Sequence, residues 1–192
     1  MKNIVLASSS KYRQAILSKL QLKFTSVAPD VDESEITGES PQDLVVRLAE
    51  KKAKAVAHNF PKSLIIGSDQ VAVIGNQILT KPGSFDVAKQ QLTIASGKSV
   101  IFFTGLCLYN AITKRAQVDC VPFKVHFRNL NEQQIVNYLQ AEEPYDSAGS
   151  FKSEGFGISL FKKLEGDDPN TLIGLPLIRL IEMFSNEGIQ IP

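Results

Sequence analysis

Apolar runs of strand length alternate with helical stretches along nearly the whole chain, and this alternation predicts an α/β fold. Two further observations agree. At 192 residues and 43% hydrophobic content the chain can bury a sizeable core, as one domain or as two closely packed lobes. No repeat, low-complexity tract or long linker divides it, so residues 1–192 are expected to form a single unit of organisation.

The elements follow in order. Asn3-Ile4-Val5-Leu6-Ala7 reads as a short buried strand, and "ASSSKYRQAILSKL" turns from it into an amphipathic helix. Lys23 to Ala28 predicts a second strand, followed by the acidic loop "PDVDESEITGESP". Ser40-Pro41 opens a helix running to about Asn59, with serine as cap and proline at the first position. "SLIIGSDQVAVIGNQIL" predicts a strand, a polar interruption, and a strand that turns at Gly75-Asn76. Ser84 to Ala95 is helical in pattern. "VIFFTGLCLYN" and "AQVDCVPFKVHF" predict long strands joined by a turn, and Asn131 to Gln140 another helix. A loop of glycines and acids leads to two short strands and a closing helix from Pro176.

Composition excludes several classes. A formal charge of +1 argues against a broad nucleic-acid-binding surface, though not against a local phosphate pocket. The start "MKNIVLA" is too short for a signal peptide and no apolar stretch approaches spanning length, so a cytoplasmic protein without a membrane segment is expected. Cys107 and Cys120 have neither metal-ligand nor disulfide spacing and read as buried thiols. His58 and His126 stand too far apart in sequence to support a zinc cluster or a Ser-His-Asp triad. "ASGKS" imitates the end of a P-loop, but Leu92 stands where the glycine is needed and the helix precedes the strand. "GFG" at 155–157 imitates a dinucleotide fingerprint with Leu160 in the third glycine position.

Other residues carry chemistry. Ser8, Ser9 and Ser10 at a strand-to-helix junction, with Lys11 and Arg13 beyond, fit either a turn with a helix cap or an anion site. Asp69 interrupts an apolar strand, where a carboxylate must be paired, metal-bound or protonated; an Asx-turn at a bulge is the alternative. Asp30, Asp32 and Glu33 read singly as solvated loop charges, Lys52 as a helix-surface residue and Lys81 as a loop charge. Together they make a pattern suited to metal-assisted phosphoryl chemistry: cations and N–H groups for phosphates, carboxylates for a divalent ion and a water.

The ordered set "ASSSKYR", "VDE", "RLAEKKA", "GSDQV", "KP", "ASGKSVIFFTGL", "AGSFKSEGFG" and "DPNTLIGLPL" resembles the Maf family of nucleoside triphosphate pyrophosphatases almost end to end. The resemblance implies a mixed twisted sheet in two lobes with a central cleft, related to the inosine triphosphatases. It also implies a divalent cation (Mg2+ or Mn2+), a cytoplasmic homodimer, and release of pyrophosphate from a noncanonical nucleotide. By motif, Ser8, Ser10 and Arg13 match the phosphate loop, Glu33 the acidic motif, Lys52 and Lys81 the family lysines, and Asp69 the catalytic carboxylate. Glu33 and Asp69 are the implied metal ligands.

Three departures from the commoner family pattern bear on substrate. Tyr12 stands within the usual Pro-Arg-Arg stretch (Lys11 replaces the proline), Gln70 replaces a threonine and Glu154 a glutamine. These resemble the branch that hydrolyses 7-methyl-GTP rather than dTTP or UTP. The chemistry agrees: N7-methylation makes guanine cationic, so Tyr12 can stack on it and Glu154 can accept from N1–H and the exocyclic amine. A partly buried tyrosine and a plain loop glutamate are the bland alternatives. The expected activity is hydrolysis of 7-methyl-GTP to 7-methyl-GMP and pyrophosphate. The rivals are a dTTP/UTP pyrophosphatase and a non-catalytic nucleotide-sensing module acting on cell division.

Overall fold

The computed structural model describes residues 3–191. Seven strands form one sheet in the order β2-β1-β3-β5-β6-β7, with β4 paired to β3. These are β1 (Asn3–Ala7), β2 (Phe24–Val27), β3 (Ser63–Ile74), β4 (Gln77–Leu79), β5 (Ser99–Asn110), β6 (Arg115–Phe127) and β7 (Phe161–Glu165). Strand β1 runs parallel to β2 and β3, whereas β4 is antiparallel to β3 and β7 antiparallel to β6. The helices are α1 (Lys11–Ser18), α2 (Pro41–Val56), α3 (Phe85–Ala95), α4 (Glu132–Glu142), α5 (Pro169–Ile173) and α6 (Leu177–Asn186). Helices α1 to α4 are capped by Ser10, Ser40, Ser84 and Asn131, each of which accepts a backbone N–H three residues on.

The chain divides into two compact units, the first Met1–Gln70, Thr104–Val121 and Asp168–Pro192, the second Val71–Phe103 and Pro122–Asp167. In the first unit, strand alternation supplies two apolar faces. Ile4, Leu6, Leu64, Ile66, Leu106 and Leu108 pack with α1 and α6; Val5, Ala7, Ile65 and Cys107 pack with Ala49, Ala53 and Val56 of α2. Cover on both faces is why these strands read as continuous apolar runs. Cys107 belongs to this core, and burial pushes its thiol up to about 12, which marks it as inert packing. The second unit is built around edge-to-face aromatics, with Phe151 at 5.3 Å from Phe102, 5.6 Å from Phe127 and 4.8 Å from Phe161.

Two expectations are corrected. Strand β3 is unbroken from Ser63 to Ile74, so Ser68-Asp69-Gln70 does not interrupt it. The polar triplet stays in the strand because its side chains are satisfied there: Ser68 Oγ donates to the Gly174 carbonyl at 2.9 Å, and Asp69 and Gln70 have partners described below. The second correction lies near the C-terminal end. Only β7 forms there as a strand, and the segment after it is helix α5. Buried Asp168 caps α5 by accepting from Asn170 N at 2.8 Å, Pro169 takes the first turn, and Gly174 closes it at φ 116°. The same carboxylate accepts from Ile178 N at 2.9 Å, which ties α5 to the first turn of α6.

Helix α2 lies unusually close to the sheet of the first unit. A Cβ added to Gly67 of β3 would sit 2.0 Å from the Ala49 carbonyl oxygen, and one added to Gly105 of β5 would sit 2.0 Å from that of Val45. Only residues without a side chain fit, because the opposing atoms are backbone and cannot swing away. Gly67→Ala and Gly105→Ala should each destabilise the protein by about 3 kcal/mol, the upper end of overpacking, and lower Tm by roughly 6–12 °C. Gly75→Ala, at φ 58° with open space around it, should cost about 1 kcal/mol from backbone strain alone. Thermal and denaturant unfolding of the three variants checks this; equal effects at all three would remove the close-approach argument.

Candidate active site

The approach of α2 to β3 builds the site. Asp69 is two residues beyond Gly67, and Lys52 is one helical turn beyond Ala49, whose carbonyl faces Gly67. Lys52 is therefore buried on the sheet side of α2, at 6% exposure, although its neighbours Lys51 and Lys54 are exposed. Its ammonium donates to Asp69 Oδ1 at 2.7 Å and lies 3.0 Å from Glu33 Oε1. Asp69 is 7% exposed, whereas the Glu33 side chain, on the irregular loop between β2 and α2, is 56% exposed. One buried cation thus joins a strand carboxylate to a loop carboxylate.

Arg13 adds the second cation. Its Nε donates to the Gly174 carbonyl at 2.8 Å, the same oxygen that accepts from Ser68. Desolvation pulls its pKa below the ordinary arginine value, opposed by the charges of Asp69 and Glu33. An arginine stays protonated there, so two cations and two carboxylates share the site. The first unit therefore brings together Arg13, Glu33, Lys52 and Asp69.

The serines answer as turn and cap. Ser8 Oγ accepts from Ser10 N at 3.2 Å, Ser10 Oγ accepts from Arg13 N at 3.3 Å, and the Ser8 carbonyl accepts from Ser26 Oγ at 2.6 Å. These bonds fix the turn from β1 into the first turn of α1, which carries Arg13. Tyr12, one residue before it, stands at 36% exposure. Gln70 is committed within the unit: its Nε2 donates to Thr104 Oγ1 and to the Thr171 carbonyl, both at 2.8 Å. It can meet a ligand only through its carbonyl oxygen. Lys81 and Glu154 belong to the second unit, both exposed; Lys81 lies on the loop before α3, and Glu154 accepts from Ser153 Oγ at 3.3 Å.

Among the described residues no group of three or more His, Cys, Asp and Glu could hold a metal ion. The donors at hand are two carboxylates meeting at one lysine. That set suits a hard cation of the magnesium kind, which keeps its waters and takes further oxygens from substrate phosphates, rather than a closed zinc site. Among the described residues no helix is long and apolar enough to cross a membrane.

Sequence reasoning missed three features here. The burial of Lys52 within a run of lysines has no sequence signal except the glycines opposite it. Thr104 and Gly174 support Gln70 and Arg13 without belonging to any polar motif. The side-chain partners of His126 in the second unit were also not legible: Ser99 Oγ meets His126 Nδ1 at 2.9 Å and Glu165 Oε2 meets Nε2 at 3.1 Å. Lys163 also reaches Glu165, at 2.9 Å, and with His126 holds that carboxyl down to about 2. The His126–Glu165 contact pins edge strand β7 to β6.

Comparison with known proteins fits this picture. Residues 3–187 match the family described as Maf-like protein. The chain is 56% identical over 192 residues, covering all of both chains, to the 7-methyl-GTP pyrophosphatase of Pseudomonas savastanoi pv. phaseolicola. It is 59% identical over 189 residues to that of Alcanivorax borkumensis, covering 98% of this chain and 96% of the other. Among solved structures, the Staphylococcus aureus Ham1 protein is similar in fold, with a TM-score of 0.55 at 14% identity over 98% of this chain and all of the other. A family match spanning residues 3 to 187, supported by relatives more than half identical along their whole length, makes the chain a member of the Maf family.

Proposed function

We propose that this chain is a nucleoside triphosphate pyrophosphatase that hydrolyses 7-methyl-GTP to 7-methyl-GMP and pyrophosphate. The observation that carries the reading is the buried Lys52 joined to both Asp69 and Glu33, in a chain whose full-length relatives bear that activity in their names. Binding alone does not need Asp69, and burying the Lys52–Asp69 pair costs desolvation that stability does not require; such charge clusters gather where chemistry is done.

In the proposed reaction, water attacks the α-phosphorus and the bond to the β-phosphate oxygen breaks. Asp69 orients the water and accepts its proton. Lys52 fixes the Asp69 carboxylate and, with Arg13, offsets charge developing on the phosphate oxygens. Ser8 and Ser10 shape the turn that presents Arg13 and the first-turn N–H groups of α1. Lys81, matched by motif to the family lysines, joins Arg13 and Lys52 in offsetting charge on the phosphate oxygens. Glu33 and Asp69 would hold the divalent cation, Mg2+ or Mn2+, which when bound neutralises phosphate oxygens and acidifies water. Glu154 reads the guanine edge, Tyr12 stacks on the cationic ring, and the Gln70 oxygen supplements the base contacts. The family resemblance adds a cytoplasmic homodimer to the proposal.

Pyrophosphate release from 7-methyl-GTP, GTP, dTTP and UTP tests the substrate. The highest kcat/KM should fall to 7-methyl-GTP. Glu154→Gln, which turns an acceptor into a donor facing N1–H, should lose roughly 1–3 kcal/mol, about tenfold to a hundredfold in kcat/KM on that substrate. Losses on dTTP and UTP should be smaller. Equal losses on every nucleotide would remove Glu154 as the base reader, and tight binding without turnover would favour a sensor.

Asp69→Asn keeps the shape and removes the negative charge. Turnover should fall by about 100-fold or more while the protein stays folded. Near-normal turnover in the folded variant would exclude Asp69 as the catalytic carboxylate.

A further inference from the structure

Glu33 sits on an irregular loop with its side chain more than half exposed, so burial does not hold it in place. The backbone on either side of it is held. The Asp32 carbonyl accepts from Lys51 Nζ at 2.7 Å, and the Ser34 carbonyl accepts from Arg47 Nη2 at 3.0 Å. Arg47 also grips Glu39, farther along the loop, through Nε and Nη2 at 2.6 Å each. Its two partners lie five residues apart, so one guanidinium spans the segment that follows Glu33. Within the loop, Asp32 Oδ1 accepts from Ser34 N at 3.0 Å, and Glu39 Oε2 accepts from Ile36 N at 3.3 Å.

Three cations of α2 therefore meet three consecutive loop residues: Lys51 takes Asp32, Lys52 takes Glu33 and Arg47 takes Ser34. Arg47 and Lys51 are four apart and share one helix face, and Lys52 follows directly. The helix that carries them is seated on Gly67 and Gly105, so its position is transmitted to the loop. Arg47 forms its ion pair with Glu39, yet Arg47 and Lys51 also donate to the two carbonyls that flank Glu33, one on each side.

We propose that Arg47 and Lys51 are positioning residues that hold Glu33 against Lys52. The proposal rests on the reading, given above, that Glu33 acts in the site. Arg47 and Lys51 need not touch substrate; they act through Glu33 and the loop backbone. A misplacement of about an ångström at a reacting centre can cost up to about a hundredfold in rate, which is the scale on which such a clamp matters.

Three measurements on the full chain decide it. Amide hydrogen exchange in residues 30–39 should quicken by about tenfold or more in Arg47→Met, and less in Lys51→Met, with exchange in α2 unchanged. Turnover of 7-methyl-GTP by Arg47→Met should fall about tenfold, chiefly in kcat. Arg47→Lys, which keeps a donor for the Ser34 carbonyl but not the forked grip on Glu39, should recover part of that loss. In a Glu33→Gln background, Arg47→Met should cost under about twofold more, because the carboxylate it positions is gone. Unchanged exchange in residues 30–39, or fully additive losses, would overturn the positioning role while leaving Glu33 in the site. A silent Glu33→Gln would overturn the role of Glu33, and the clamp with it.

Discussion

The close seating of α2 on the sheet is the constraint from which the site follows. Gly67 and Gly105 lie on different strands, and each brings a helix carbonyl within 2.0 Å of where a Cβ would stand. With the helix held at that depth, the residue one turn past Ala49 is forced inward. That residue is Lys52, and a buried ammonium must find carboxylates. Asp69 and Glu33 supply them, one from a strand and one from a loop. Had either glycine carried a side chain, α2 would ride higher and Lys52 would reach neither carboxylate in the same geometry.

The cluster is costly as structure. Ion pairs taken out of water recover their desolvation only when geometry and hydrogen bonding are good, and hydrophobic replacements are often as stable. Here two carboxylates face two cations, so the charges within the cluster balance. Arg13 and Ser68 meet on the Gly174 carbonyl, and Gln70 binds the Thr171 carbonyl, so both anchors of the site sit at the end of α5. Asp168 in turn fixes α5 and α6 together. Supports of this kind hold the side chains of the cluster from several secondary-structure elements at once rather than from a single loop.

Much of the fold was legible because its signals are local. Strands buried on both faces appear as unbroken apolar runs, and Ser40-Pro41 announces α2 through cap chemistry. The order of short motifs identified the family. What local signals missed depends on partners distant in sequence. Ser68, Asp69 and Gln70 read as an interruption because their partners, Gly174, Lys52 and Thr104, lie far along the chain. Lys52 could not be told from Lys51 or Lys54 without knowing where α2 touches the sheet. Asp168-Pro169 is a helix start, yet the apolar residues after it suggested a strand. Ser8 and Ser10 were read both ways, and their hydroxyls serve the loop's own backbone.

The central claim is that the Lys52–Asp69 pair is kept for turnover rather than for stability. The most direct test is urea unfolding of Lys52→Met, Asp69→Asn and the double variant, with turnover measured on the same preparations. Lys52→Met alone leaves the buried Asp69 carboxylate without its ammonium partner and should destabilise by about 3–5 kcal/mol. The double variant, with both charges removed, should regain most of that stability and unfold within about 1 kcal/mol of the natural protein, with turnover abolished. A double variant as unstable as Lys52→Met alone, or one that still turns over nucleotide, would contradict the account.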